Sequence, residues 1–103
     1  MKKMKELKWF VIESDVDGSW MDCTYCYTMD DAVEKALHVW RCGYSLKDRK
    51  HHRIEIALLW AVYDEDEERW FPMMETDEGF DRDLMEGNWI GSYTPTFTFG
   101  PED

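Results

Sequence analysis

Apolar residues fall in blocks whose spacing changes along the chain, and each change predicts a different element. Residues 7–13 are apolar on both alternating faces, with Leu7, Trp9 and Val11 on one and Phe10 and Ile12 on the other. That is the pattern of an inner strand. Asp15-Val16-Asp17-Gly18-Ser19 follows and predicts a turn, with Gly18 where a positive φ is expected. Residues 20–27 then alternate, Met21, Cys23, Tyr25 and Tyr27 against Asp22, Thr24 and Cys26. This second run predicts a half-buried strand, so the first unit is a β-hairpin.

At Thr28 the period changes from two to that of a helix. Thr28-Met29-Asp30-Asp31 has the form of a capping box, and Asp30, Asp31 and Glu34 suit the positive end of a helix. Met29, Ala32, Val33, Ala36, Leu37 and Trp40 make one apolar stripe. The spacing predicts a helix over 29–42, with Arg41 in its last turn and Gly43 as a left-handed stop. Ser45-Leu46-Lys47-Asp48 predicts a second cap and a single helical turn, ending in the basic run Arg49-Lys50-His51-His52-Arg53.

Residues 54–63 form a long strand pattern, with Ile54, Ile56, Leu58, Trp60 and Val62 on one face. The five acids at 64–68 make a charged turn or strand extension, and residues 69–73 return as a hairpin partner. Pro72 places that partner at a sheet edge. Residues 74–88 are weakly patterned, with one helical turn near 80–85, and residues 93–99 alternate again as a last edge strand. The order β-β-α-β-β predicts a single α+β domain over 1–103, an antiparallel sheet packed on one main helix. The length of 103 residues suits one domain that buries roughly 60–65% of its unfolded surface. An aromatic content of 16% argues for a folded core over disorder.

Charge changes the picture more than composition does. Residues 1–63 hold ten acids and ten bases, whereas residues 64–103 hold thirteen acids against Arg69 and Arg82. The net charge of −11 therefore belongs wholly to the last forty residues. Such a field repels nucleic acid and anionic membrane and attracts basic surfaces. The basic start of the chain is followed by only four apolar residues, 9–12, before Glu13, too few for a signal peptide. Three cysteines make a poor disulfide framework and fit a reducing, cytoplasmic compartment.

Several patterns imitate known chemistry. Cys23-x2-Cys26-x11-His38-x3-Cys42 resembles a Cys-Cys-His-Cys zinc finger, a cysteine pair on a hairpin followed by His and Cys one helical turn apart. Against it, His38 and Cys42 lie opposite the helix stripe, and a strand sends Cys23 and Cys26 to opposite faces. Asp30 and Ala36 also stand where a small finger packs an aromatic and a leucine. No metal or cofactor is therefore expected, and the Cys/His set is kept as the alternative, a small metal- or ligand-binding domain. As a redox pair the two cysteines precede the helix start at Thr28, where no helix N-terminus lowers a thiol pKa. Glu13-x-Asp15-x-Asp17-Gly18 imitates an EF-hand start, but Thr24 stands where the closing Glu belongs and the flanks are strands. No phosphate loop, nucleophile elbow or His-Glu-x-x-His motif is present, so the chain reads as non-enzymatic.

The acidic segment carries the functional expectation. If residues 64–68 run extended, they hold one negative charge every ~3.3 Å, close to the ~3.4 Å per charge along one strand of B-DNA. Acids around aromatic anchors suit docking on a basic groove, aromatics supplying binding energy and charge steering approach. The candidate partner-binding residues are Asp64, Glu65, Asp66, Glu67, Glu68, Trp70, Phe71, Glu75, Asp77 and Glu78. The competing reading is a solvated turn kept acidic for solubility.

One resemblance adds a setting. From Trp40 through Ser45-Leu46-Lys47-Asp48-Arg49-Lys50 into the strand at Ile54, the chain resembles short acidic proteins of bacterial phages and mobile elements. In those, a helix ending in an aromatic-rich turn is followed by a Leu-Thr-x-x-Glu-like step and a strand. The likeness covers residues 28–63 and departs at Lys47, where that pattern has Thr. It implies an inhibitor of host nucleic-acid enzymes, anti-CRISPR proteins included, and transfers no site residues. The partner expected is a basic, nucleic-acid-binding protein surface, with no direct contact to nucleic acid or membrane.

Overall fold

The computed structural model describes residues 5–16 and 20–100, apart from the side chains of Trp20 and Met21. The turn expected at Asp17, Gly18 and Ser19 lies outside the described residues. Strands β1 (Lys5–Asp15) and β3 (His52–Asp64) pair antiparallel from Lys5↔Val62 to Asp15↔His52. Strand β2 (Trp20–Cys26) takes the other edge of β1, completing the expected hairpin. The second edge of β3 is shared. β4 (Arg69–Pro72) pairs with residues 61–64 and β7 (Phe97–Phe99) with residues 54–56.

Between β4 and β7 the edge of β3 is closed by single donors. Met73 N donates to Trp60 O at 2.8 Å, Asn88 Nδ2 to Leu58 O at 3.0 Å, and Thr96 N to Ile56 O at 2.7 Å. Buried backbone carbonyls need such partners, and here one asparagine side chain substitutes for a strand. The result, among the described residues, is a five-stranded antiparallel sheet with one main helix, an α+β fold.

Both faces of the sheet are covered. One face gathers Phe10, Ile12, Cys23, Ala57, Leu59, Ala61 and Trp70. β2 and β4 stand at opposite ends of the strand order, yet they approach each other, and Arg69 Nη2 donates to Cys23 O at 3.1 Å. The sheet therefore curls around this core. The other face receives the helix α1 (Met29–His38), whose Ala32 and Ala36 pack on Val11, Cys26, Ile54 and Ile56. Further along, Val62 meets Met73, Met85 and Trp89 of the C-terminal segment.

The helix begins as expected, Thr28 Oγ1 accepting from Asp31 N at 3.1 Å, but it ends differently. From Val39 to Gly43 the chain takes a wider π turn. The extra residue brings Val39 as well as Trp40 against the sheet side, while His38 and Cys42 stay exposed. Gly43 is not left-handed, contrary to expectation. The stop comes instead from Arg49, whose Nε donates to Trp40 O at 2.8 Å and Nη2 to Arg41 O at 3.1 Å. Its guanidinium also lies 5.7 Å from the Trp40 ring. A forked cation satisfies two of the carbonyls that a helix end leaves unpaired and complements its negative pole. Arg49 is held in place by the second cap: Asp48 N donates to Ser45 Oγ at 3.1 Å and Ser45 N to Asp48 Oδ2 at 3.2 Å.

The C-terminal segment is more broken than a single edge strand. The expected helical turn forms as α2 (Arg82–Met85), capped by Asp81 Oδ1, which accepts from Asp83 N and Leu84 N. β5 (Asn88–Trp89) and β6 (Ser92–Tyr93) then make a small hairpin. Its turn needs Gly91, because a Cβ there would overlap the Trp89 ring. Pro95, which has no N–H to give, separates β6 from β7.

Candidate protein-docking face

The acidic run does not run extended. Asp64 ends β3, residues 65–68 form a turn, and Arg69 starts β4 directly opposite Asp64. Asp64 Oδ1 accepts from Asp66 N at 2.9 Å and Glu67 N at 3.2 Å, and Glu68 takes a positive φ of 54°. The cause is the pairing on either side: Tyr63↔Trp70 and Asp64↔Arg69 leave four residues to reverse the chain. The even spacing of a DNA strand is thus replaced by a compact cluster. Asp64 is the structural acid of the turn, and Glu65, Asp66, Glu67 and Glu68 point their charges to solvent as exposed residues.

The two aromatic candidates part company. Trp70 is 8% exposed and belongs to the sheet core, its ring 5.3 Å from that of Tyr63. It is a core residue and not the exposed anchor that the sequence suggests, since strand alternation turns it toward the sheet core. Phe71 faces the other way and is half-buried, with the Arg69 guanidinium 4.5 Å from its ring. It lines an open cleft of about 260 Å³ with Val62, Asp64, Pro72, Met74 and Asp77. Asp77 Oδ2 accepts from Met74 N at 2.8 Å, which fixes that wall. The cleft brings Asp64, Phe71 and Asp77 together. Glu75 pairs with Arg82 at 3.0 Å, and Glu78 is exposed. Met74, 49% exposed beside Phe71, is an apolar surface residue that the sequence reading passed over. Its one signal was a methionine immediately after the edge-strand proline and Met73.

The Cys/His set is not brought together. Cys23 is in the core on one face of the sheet and Cys26 on the other, while His38 and Cys42 are exposed on the outer side of the helix. Among the described residues no group of three or more His, Cys, Asp or Glu is placed to hold a metal ion. Burial, reinforced by Asp22, pushes the Cys23 thiol up to about 12, and burial also raises Cys26. Both shifts oppose thiolate chemistry. In the native protein, iodoacetamide should therefore modify Cys42 alone, one thiol of three, with Cys23 and Cys26 reacting only after unfolding. Intact-mass analysis showing two or three adducts at native rates would contradict this placement.

Sequence reasoning also missed two long-range tyrosine–carboxylate pairs. Tyr44 donates from its hydroxyl to Glu13 Oε1 at 2.9 Å, and Tyr93 to Glu55 Oε1 at 3.1 Å. Burial first, then the neighbouring carboxylate, raises both phenols, so each stays a neutral donor. Glu13 and Asp15 of the EF-hand imitation thus face partners from distant elements, Asp15 lying 2.7 Å from His52 Nδ1. Partners separated by 31 and 38 residues leave no local signal in the sequence. No helix among the described residues is long and apolar enough to cross a membrane. No family model, curated protein or solved structure matches the chain.

Proposed function

We propose that the chain is a non-enzymatic interaction protein that docks the acidic face around its β3–β4 turn on a basic surface of a partner protein. The observation that carries this reading is the confinement of the whole net charge of −11 to residues 64–103. Its local form supports it: four exposed acids on one turn, beside a cleft that presents Phe71 and Met74 between Asp64 and Asp77. Apolar centre and charged rim are the usual parts of a docking patch. The basic surface it suits best is a nucleic-acid-binding channel, and the resemblance to small phage and mobile-element proteins makes the chain an inhibitor of such an enzyme. A reducing cytoplasmic setting fits three free thiols.

The test follows from the turn geometry. Glu65→Gln, Glu67→Gln and Glu68→Gln together remove three charges and leave the Asp64 turn bonds intact. Against a partner captured from host lysate at low salt, this variant should associate roughly three- to tenfold more slowly than the parent at low salt. The difference should shrink at high salt as screening grows. Equal association rates at low salt would reduce the run to a solubilising turn.

A further inference from the structure

Lys8 lies on the face of β1 that carries Phe10 and Ile12, yet its ammonium ends among aromatic rings. Nζ is 4.9 Å from the Trp70 ring centroid, 5.5 Å from that of Tyr27, and 2.9 Å from Glu6 Oε2. The side chain is only 16% exposed. Each ring is braced by another, Tyr63 at 5.3 Å from Trp70 and Tyr25 edge-on at 5.7 Å from Tyr27. A strand lysine ordinarily extends its head into water. Here two ring faces and a carboxylate, drawn from β1, β4 and the residue just after β2, surround one positive charge. Those are the parts of an ammonium site.

We propose that Tyr27, Trp70 and Glu6 form an alkylammonium-binding recess that Lys8 fills as an internal, exchangeable occupant. An external ammonium, the lysine or methylated lysine of a protein partner, takes its place. Exchange requires no unfolding, because Tyr27 is 71% exposed, the Glu6 side chain is 56% exposed, and a displaced Lys8 returns to water. The rings suit an alkylated ammonium that has no N–H to donate, and Glu6 suits a primary one. Tyr63 and Trp70 flank the acidic turn, so the local field draws cations toward the recess. The recess stands on its own geometry whether or not the acidic turn has a partner.

The experiment uses the full chain as parent, Lys8→Ala and Lys8→Gln. Each is titrated with tetramethylammonium chloride and with n-butylammonium chloride, against sodium chloride at matched ionic strength, following the Trp70 indole N–H and Tyr27 ring signals by NMR. Emptying the recess removes the internal competitor, so both variants should bind at least about tenfold more tightly than the parent. Adding Tyr27→Ala, an exposed position, should abolish saturation. Saturable binding of either cation that is tighter in the variants and lost with Tyr27→Ala supports the recess, and the preferred cation tells methylated from primary ammonium. Responses equal to those in sodium, equal affinities in parent and variants, or saturation that survives Tyr27→Ala would each overturn the proposal.

Discussion

Replacing Trp70 with alanine is expected to cost about 3–5 kcal/mol of stability, the usual range for truncating a buried aromatic. The ring is 8% exposed and joins Phe10, Ile12, Cys23 and Leu59 in one cluster between the curled ends of the sheet. Ala57 and Ala61 on the same face are too small to fill the space that the ring leaves. The loss should appear as a lower urea midpoint with an unchanged slope, in the absence of any partner. Phe71→Ala, one position along and half-buried at the cleft, should be markedly milder in stability and stronger in its effect on docking. The pair separates core from surface on a strand of four residues. A Trp70→Ala protein as stable as its parent would mean that the ring is an interface anchor after all.

That contrast also shows what the sequence could and could not say. β1 was legible because Phe10, Val11 and Ile12 are consecutive apolar residues, which only a strand covered on both faces explains. β3 was legible as a strand but only half understood. Period-two reading favours Ile54, Ile56, Leu58, Trp60 and Val62, whereas Ala57, Leu59 and Ala61 on the other face are fully buried and Leu58 and Trp60 only half-buried. The curl of the sheet, which encloses that second face, depends on the approach of β2 to β4 and has no local pattern. Trp70 beside five acids looked like an anchor because adjacency in sequence does not reveal the side of a short edge strand. Asp64 looked like one charge among five, although it is the residue that organises the turn.

Arg49 illustrates the same limit for helices. In a run of Arg, Lys and His it is indistinguishable from a solvated charge, and Gly43 reads as a sufficient stop. Only the return of the chain through the Ser45–Asp48 cap brings the guanidinium onto the Trp40 and Arg41 carbonyls. Local rules located both caps correctly. They could not foresee that the second cap would serve the first helix.

Cys23 gives the alkaline behaviour of the protein a definite sign. Burial pushes its thiol from 9.0 to about 12, with Asp22 acting in the same direction. Between those values the unfolded chain loses the proton and the native chain keeps it. The unfolded state then binds fewer protons, so stability must fall as pH rises. The contribution is fully present below pH 9 and is lost by pH 12, a change of about 4 kcal/mol at 1.36 kcal/mol per unit. Cys23→Ala lacks this slope, while Tyr44 and Cys26, which burial also raises and which Cys23 does not shift, act alike in both proteins and cancel. At pH 7 the variant should be the less stable of the two, by about 1–2 kcal/mol for the lost packing of the sulfur. As pH rises above 9 the two stabilities should converge and then cross at about pH 9.7–10.5, read from urea unfolding at a series of pH values. Parallel curves from pH 8 to 11 would mean that the thiol reaches water in the native state, and would remove Cys23 from the core.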